Sequence, residues 1–360
     1  METYERLQEI LDSHPTGAPK SAAFDEILRI LFTPEEAALA VQMSFAFRSA
    51  ANLAARAGLT QETAGRLLEG MADKAIIQSR SKDGIDSYAL LPTIPGLFEF
   101  PFMKGGGEPI HEKLGKLWQQ YHHEALGSEF AGTDTPLMRV VPVEETIENG
   151  GGVLPYERAR SLVDGASYLA VTECACRVSV NACDKQREVC LVFGPTAKFL
   201  VERGYARAIE KEEAYGVLKT AADAGLVHTS NNSADRGNLI CNCCPCCCTV
   251  LRGRTELNIP HAFAPSAYLA RVDAGLCTGC GICKDERCPM EAIEIEDDVA
   301  RIMVDRCIGC GVCVADCPTG AISLIPRETR PEIAPTIRDM GMTILEKKGK
   351  LARFIEIMKE

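Results

Sequence analysis

The amino-acid sequence predicts an α+β protein with several domains. Segments of helical periodicity alternate with short runs that have strand character, and one pair of such runs flanks an Asp-Gly turn. The chain has 360 residues, of which 46% are apolar, and this predicts two or three domains with buried cores. Its eighteen cysteines all lie between residues 174 and 317, where they predict metal binding.

Residues 33–103 are predicted to form three helices followed by a hairpin. Thr33 and Thr60, residues typical of helix N-caps, precede the first and third helices. The second helix is predicted from about Ser49 to Arg56, ending at Gly58. The hairpin strands are residues 76–79 and 87–91. This order of elements resembles a winged helix-turn-helix domain, which we assign to residues 1–103.

The resemblance implies DNA binding by the third helix, but the charges argue against it. That helix carries Glu62, Glu69 and Asp73 against Arg66 and Lys74, so it offers phosphates no clear positive face. The whole chain has a net charge of -11 and an isoelectric point near 5.2. We therefore expect a structural or protein-docking role, and nucleic-acid binding is disfavoured.

Residues 104–265 are predicted to form a mostly helical, cysteine-rich domain. Helical periodicity is found at residues 110–126, 154–165, 196–204 and 211–225. Two glycine triplets, residues 105–107 and 150–152, lie outside any strand-to-helix phosphate motif and are interpreted as turns. A final helix is predicted at residues 337–359, within a C-terminal segment of residues 331–360.

Eight cysteines downstream repeat one spacing, in which three cysteines separated by two residues precede a Cys-Pro pair. The first copy is Cys277, Cys280, Cys283 and Cys288, and the second is Cys307, Cys310, Cys313 and Cys317. A 4Fe-4S cube needs four thiolates, and such a run wraps one loop around three of its corners. Glycines between the cysteines let the backbone approach inorganic sulfide. Two 4Fe-4S clusters are therefore favoured over a pair of zinc sites.

Residues 274–322 closely resemble the bacterial two-cluster ferredoxins, and we assign this domain to residues 266–330. The resemblance implies that the last cysteine of each run ligates the other cluster. One cluster would then be held by Cys277, Cys280, Cys283 and Cys317, and the other by Cys307, Cys310, Cys313 and Cys288. The first run departs from the family pattern, because four residues (284–287) precede its last cysteine where the family has three.

Ten further cysteines form two groups upstream. The first group has the number and reach for a third 4Fe-4S cluster: Cys174, Cys176, Cys183 and Cys190. Nearby cations would offset the negative charge of that cluster: Arg177, Lys185 and Arg187. The second group comprises Cys241, Cys243, Cys244, Cys246, Cys247 and Cys248.

The six cysteines of the second group cannot all bind one metal, because adjacent side chains project in different directions. Some of them could complete the third cage, hold a fourth cluster, bind zinc, or remain as buried thiols. Together the two groups resemble a segment of large ferredoxin-domain proteins of anaerobes. That resemblance implies iron-sulfur electron transfer and no further activity.

No catalytic motif or nucleotide fingerprint is found, and it is left open whether the chain is itself an enzyme. His122 and His123 are adjacent on a predicted helix, so they point apart and are read as a packed or solvated face. No apolar run is long enough to span a membrane, and residues 1–11 suggest an acidic helix rather than a signal peptide. We therefore expect a protein of a reducing, anaerobic cytoplasm, with the oligomeric state left open.

Our first hypothesis is a multi-cluster electron carrier or subunit that relays low-potential electrons between donor and acceptor oxidoreductases. Residues 271–326 contain five basic and ten acidic residues, which suits docking on basic partner surfaces. One alternative is a redox-sensing transcription regulator that uses the winged helix. Another is a reductase with an incompletely ligated cluster.

Overall fold

The computed structural model describes residues 2–105, 109–147, 154–235 and 237–359. The protein is 44% helical and 18% strand, which agrees with the predicted α+β class. Its α-helices are α1 (Thr3–Asp12), α2 (Ala22–Leu31), α3 (Pro34–Ala40), α4 (Ala50–Ala57), α5 (Gln61–Asp73), α6 (Pro109–Tyr121), α7 (Gly127–Phe130), α8 (Ala159–Asp164), α9 (Ala175–Val180), α10 (Gly194–Glu202), α11 (Lys211–Asp223), α12 (Thr249–Thr255), α13 (Val312–Ala315), α14 (Ile337–Lys347) and α15 (Leu351–Lys359). Its strands are β1 (Arg48–Ser49), β2 (Ile77–Lys82), β3 (Ile85–Leu90), β4 (Met138–Val140), β5 (Leu169–Glu173), β6 (Glu188–Phe193), β7 (Arg207–Ala208), β8 (Val227–Asn231), β9 (Leu239–Cys243), β10 (Tyr268–Val272), β11 (Ile293–Glu296), β12 (Val299–Ile302) and β13 (Ile322–Pro326).

The N-terminal part has the helices and hairpin that the sequence predicts. The side chains of Thr33 and Thr60 accept a backbone N–H at the start of α3 and α5, which confirms the two predicted caps. Ser49, predicted as the first residue of the second helix, instead caps α4 in the same way. Strands β1, β3 and β2 form a small antiparallel sheet in that order. The likeness to a winged helix remains a prediction, although helix positions and sheet order are compatible with it.

Helix α5 packs against the central part of the chain through its acidic residues. Arg203, which follows α10, donates to Glu69 and Asp73 of α5, and Tyr205 donates to the Asp73 carbonyl. Near the end of the same helix, the Lys74 ammonium is paired with Glu36. The charges of α5 are thus largely used in contacts within the protein.

The central part contains a six-stranded antiparallel sheet in the order β4-β8-β9-β6-β5-β7. The predicted helices are present, but the sequence analysis missed this sheet. All five residues of β8 are buried, and four of them are polar. Polar residues in a fully buried strand give no alternation of apolar and polar positions, so the sequence pattern does not predict this strand.

The C-terminal module pairs β10 with β13 and β11 with β12, both antiparallel. Beyond it, the single helix predicted at residues 337–359 was wrong, because the chain forms two helices, α14 and α15. Gly349 lies between them with φ +68°, a left-handed conformation that ends a helix. Of the predicted glycine triplets, Gly105 is described, whereas residues 106–107 and 150–152 lie outside the described residues. Within the described chain, no helix has the length and apolar character of a membrane span.

Candidate metal centres

Two cavities of the C-terminal module are each lined by four cysteines. We call them the outer and the inner cavity. The outer cavity is lined by Cys277, Cys280, Cys283 and Cys317. The inner cavity is lined by Cys288, Cys307, Cys310 and Cys313. Each cavity thus takes three cysteines from one run and the fourth from the other, and these are the two sets that the ferredoxin resemblance implied.

The lining of both cavities suits metal-thiolate groups. Backbone N–H groups of Ala300 and Ala292 lie 3.4 and 3.2 Å from the sulfurs of Cys277 and Cys288, where they stabilise negative charge. Burial raises the pKa of Cys310 to about 12 and also raises that of Cys283. Buried thiols of this kind lose their protons when a metal takes the proton's place. Both cavities therefore fit 4Fe-4S clusters.

The glycines of the cysteine runs are required by the neighbouring backbone. Gly309 has φ +66°, and a β-carbon there would lie 2.1 Å from the Tyr268 carbonyl oxygen. Gly279 has φ +64°, and a β-carbon would lie 2.6 Å from the Asp298 carbonyl oxygen. These contacts add a steric reason for the glycines on the protein side to the close approach to inorganic sulfide.

The additional residue of the first cysteine run is accommodated as a wider helical turn. Residues Cys283–Arg287 form a π-helical turn, where the second run has the α-helical turn α13. Arg287 then donates to the carbonyl oxygens of Ala222 and Asp223, both 2.9 Å away at the end of α11. The departure from the family spacing therefore places an arginine that fixes the module to the central sheet domain.

The two cavities differ in their access to solvent. Cys280 of the outer cavity is exposed, whereas Cys310 and Cys313 of the inner cavity are buried. On the inner side, the Val143 N–H donates to the Cys310 carbonyl oxygen at 2.9 Å, so the inner run packs on the central part. The module thus presents one cavity to solvent and the other to the rest of the chain.

Six upstream thiols form a closed ring of contacts, which we call the thiol ring. In order around the ring they are Cys174, Cys176, Cys248, Cys243, Cys241 and Cys190. The sulfurs of Cys243 and Cys248 are 3.3 Å apart. Hydroxyls of Thr229 and Thr249 lie 3.4 and 3.8 Å from Cys243 and Cys176. The ring therefore has polar neighbours that can bond to thiolates.

Three adjacent strands bring the thiol ring together. Leu191 of β6 pairs with Ile240 of β9, and continuing this register by one residue sets Cys190 opposite Cys241. Cys241 and Cys243 are two residues apart on β9, so they lie on one face of the strand. The remaining members belong to the starts of the helices that follow β5 and β9. The ring is thus built at one end of strands β5, β6 and β9.

Arg177 is fully buried beside the thiol ring. One amino group donates to the Asn242 carbonyl oxygen, but Nε and Nη1 have no hydrogen-bond partner among the described residues. Burial alone would lower the pKa of Arg177, yet the charges of nearby thiolates, led by Cys174 and Cys244, raise it. A buried cation with unused donors requires negative charge close by, and this supports an anionic metal-thiolate group in the ring.

The remaining four upstream cysteines form a separate, compact set, which we call the tetrathiol group. Its members are Cys183, Cys244, Cys246 and Cys247, and their sulfurs all lie within 4.8 Å of one another. A hydrogen bond from Cys247, together with the charge of Arg177, lowers the pKa of Cys244 to about 5. The thiol of Cys244 is therefore poised to act as a thiolate ligand.

The predicted grouping of the upstream cysteines differs from the one the structure brings together. The sequence placed Cys183 with Cys174, Cys176 and Cys190, but its sulfur contacts Cys244 and Cys247 instead. The expectation that the second group cannot share one metal agrees with its division between the ring and the tetrathiol group. Sequence spacing could not locate this division, because Cys183 lies in the loop between α9 and β6, which folds towards the turn after β9.

The other residues that the sequence singled out are two cations and two histidines. Lys185 donates to the Ala224 carbonyl oxygen at 2.6 Å, and Arg187 donates to Asn181 at 2.7 Å, both at exposed positions. His122 is buried, and desolvation lowers its pKa to about 4. His123 is half exposed and contacts Arg252. His122 is therefore packed inside the protein, whereas His123 lies at its surface beside Arg252.

Comparison with known proteins identifies the C-terminal module. The family model of the 4Fe-4S dicluster domain matches residues 269–318. No curated protein and no solved structure matches the chain. The match covers the two cavities and supports a ferredoxin-like module. With the upstream cysteines, it defines the chain as an iron-sulfur protein.

Proposed function

We propose that this protein relays low-potential electrons between oxidoreductases through three iron-sulfur clusters. The observation that carries the proposal is the arrangement of the module, whose outer cavity reaches solvent while its inner cavity packs on the central part. An electron entering at Cys280 would pass from the outer to the inner cluster and then towards the thiol ring. Val143, which donates to the Cys310 carbonyl oxygen, follows β4, and β4 pairs with β8, whose Val227 lies opposite Cys243 of the ring.

The third centre of this relay is a 4Fe-4S cluster in the thiol ring, which we call the ring cluster. Six thiols exceed the four that a cubane needs, so two of them serve in other ways, and the four ligands would have to stand further apart around the cluster than neighbouring thiols of the ring do. Arg177 supports this assignment, because its unused N–H groups would donate to thiolate or inorganic sulfide and its charge would balance the cluster. The ring cluster is the end of the relay inside the central domain.

We propose protein partners with basic surfaces at the outer cluster. Residues 271–326 carry five basic and ten acidic residues, and Leu276, next to Cys277, is 52% exposed. An apolar residue within an acidic surface suits short-lived docking of a redox partner. The reducing environment that the clusters require agrees with a cytoplasmic location in an anaerobe.

Two other functions are less well supported. A transcription regulator would need α5 to enter a DNA groove, yet Glu69 and Asp73 of this helix are bonded to Arg203. A reductase would need substrate access to the thiol ring, yet Cys174, Cys243 and Cys248 are at most 7% exposed. Electron transfer needs neither DNA contact nor substrate access.

An anaerobic electron titration tests the proposal. Dithionite should load about three electrons per chain, one for each 4Fe-4S cluster. After removal of dithionite, the reduced protein should pass these electrons to cytochrome c, a basic acceptor. The rate should fall as ionic strength increases, because salt screens attraction between exposed charges. A protein that takes up no electrons, or that reduces cytochrome c at a rate independent of salt, would contradict the proposal.

A further inference from the structure

The tetrathiol group has the dimensions of a site for a single metal ion. Three sulfur-sulfur distances connect its members, and each is 3.8 Å: Cys183 to Cys244, Cys183 to Cys247, and Cys246 to Cys247. Zinc binds thiolates at about 2.3 Å in tetrahedral geometry, which sets the sulfurs about 3.8 Å apart. The group therefore matches the edges of a zinc-thiolate tetrahedron.

The ferredoxin-like module provides an internal comparison. Thiolates on the corners of a 4Fe-4S cube stand about 6 Å apart, because iron and sulfide atoms lie between them. Among the described residues, which include all eighteen cysteines, the tetrathiol group is the one set of three or more candidate ligand atoms within 4.8 Å. The sulfurs in each set of module cysteines are thus further apart than those of the tetrathiol group. This is the difference expected between a cubane site and a site for a single ion.

We propose that the tetrathiol group binds one Zn²⁺ ion, separate from the iron-sulfur clusters. All four thiols are free of disulfides, as a ligand set requires. Four thiolates around Zn²⁺ have a net negative charge, which Arg177 beside Cys244 offsets. Zinc has no redox chemistry, so this ion takes no part in the electron relay.

The position of the site indicates a structural role. Zinc would join the loop that carries Cys183 to the turn between β9 and α12. Cys243 and Cys248 of the thiol ring directly flank this turn, so the ion would hold two ring thiols in place. The group also packs against Ala221 and Leu226 at the end of α11, where Arg287 fixes the module. Zinc would therefore stabilise the junction between the ring and the module.

Metal analysis and X-ray absorption on the anaerobically purified full-length protein test this proposal. We expect about one zinc per chain with four sulfur neighbours at about 2.3 Å and no iron neighbour. The Cys246→Ser variant should lose the zinc and keep the iron of the module. The matched variant Cys280→Ser should lose iron and keep the zinc, so the two replacements should have opposite effects.

The outcomes separate this proposal from the electron relay. Wild-type protein that contains no zinc, or that holds a single iron at these four sulfurs, would overturn it. Loss of about four irons from Cys246→Ser would likewise show a cubane at this site and overturn it. If Cys246→Ser does not fold, the zinc absorption spectrum of the wild type decides. The two tests are independent. The protein could lack zinc and still take up about three electrons, or contain zinc and take up none.

Discussion

Replacing Cys310 by alanine is expected to remove the inner cluster and interrupt the relay. Cys310 is buried in the inner cavity, and its carbonyl oxygen accepts the Val143 N–H from the central part. Without this thiol, the inner cubane loses one of its four protein ligands. The iron content should fall by about four per chain, with an equal loss of acid-labile sulfide.

Electron delivery to cytochrome c shows whether the inner cluster lies between the other two. In reduced wild-type protein, electrons from all three clusters should reach cytochrome c through the outer cluster. In Cys310→Ala, the outer cluster should still react at the wild-type rate, whereas the electron on the ring cluster should leave much more slowly. Cys280→Ala is the control, because loss of the outer cluster should slow electron release from both remaining clusters. Unchanged release from the ring cluster in Cys310→Ala would contradict the proposed order.

Replacing Arg177 by methionine is expected to remove the ring cluster. Methionine has a similar length but no charge and no N–H donors, so the thiolates of the ring would lose their buried counter-charge. We expect the iron content to fall from about twelve to about eight per chain, with both module clusters retained. Iron and sulfide analysis, together with the EPR spectrum of the reduced protein, measures this change.

Arg139 provides a matched control for Arg177. It is also buried in the central sheet, on β4, and it too has a side-chain nitrogen without a partner among the described residues. Desolvation, offset in part by Tyr156 and Glu157 and by no cysteine, lowers the pKa of Arg139 to about 10. Arg139→Met should therefore cost stability without loss of iron. Equal iron loss from both variants, or full iron retention in Arg177→Met, would contradict the role given to Arg177.

Local signals in the sequence predicted local features of the fold. Thr33 and Thr60 were found as helix caps, because a cap depends on a few neighbouring residues. The central sheet was missed, because β8 buries polar residues whose partners lie on the strands beside it. His228 of β8, for example, bonds the side chain of Asn242 on β9. Such partners become visible only when the strands are placed side by side.

The candidate sites show the same contrast between local and long-range information. The module cysteines repeat a spacing that resembles the bacterial two-cluster ferredoxins, and this resemblance implied their two sets before the structure was known. The upstream cysteines have no such repeat. Cys183 joins Cys244 only because the loop before β6 folds beside the turn after β9. The role of Arg287 was also missed, since its contacts lie on α11, more than sixty residues away.

Iron and acid-labile sulfide per chain, measured on anaerobically purified protein, test the central claim most directly. The account predicts about twelve of each, four for every cubane in the outer cavity, the inner cavity and the thiol ring. About eight of each would remove the ring cluster and end the proposed relay at the module. Protein that contains zinc in the module but no acid-labile sulfide would contradict the claim that this is an iron-sulfur electron-transfer protein.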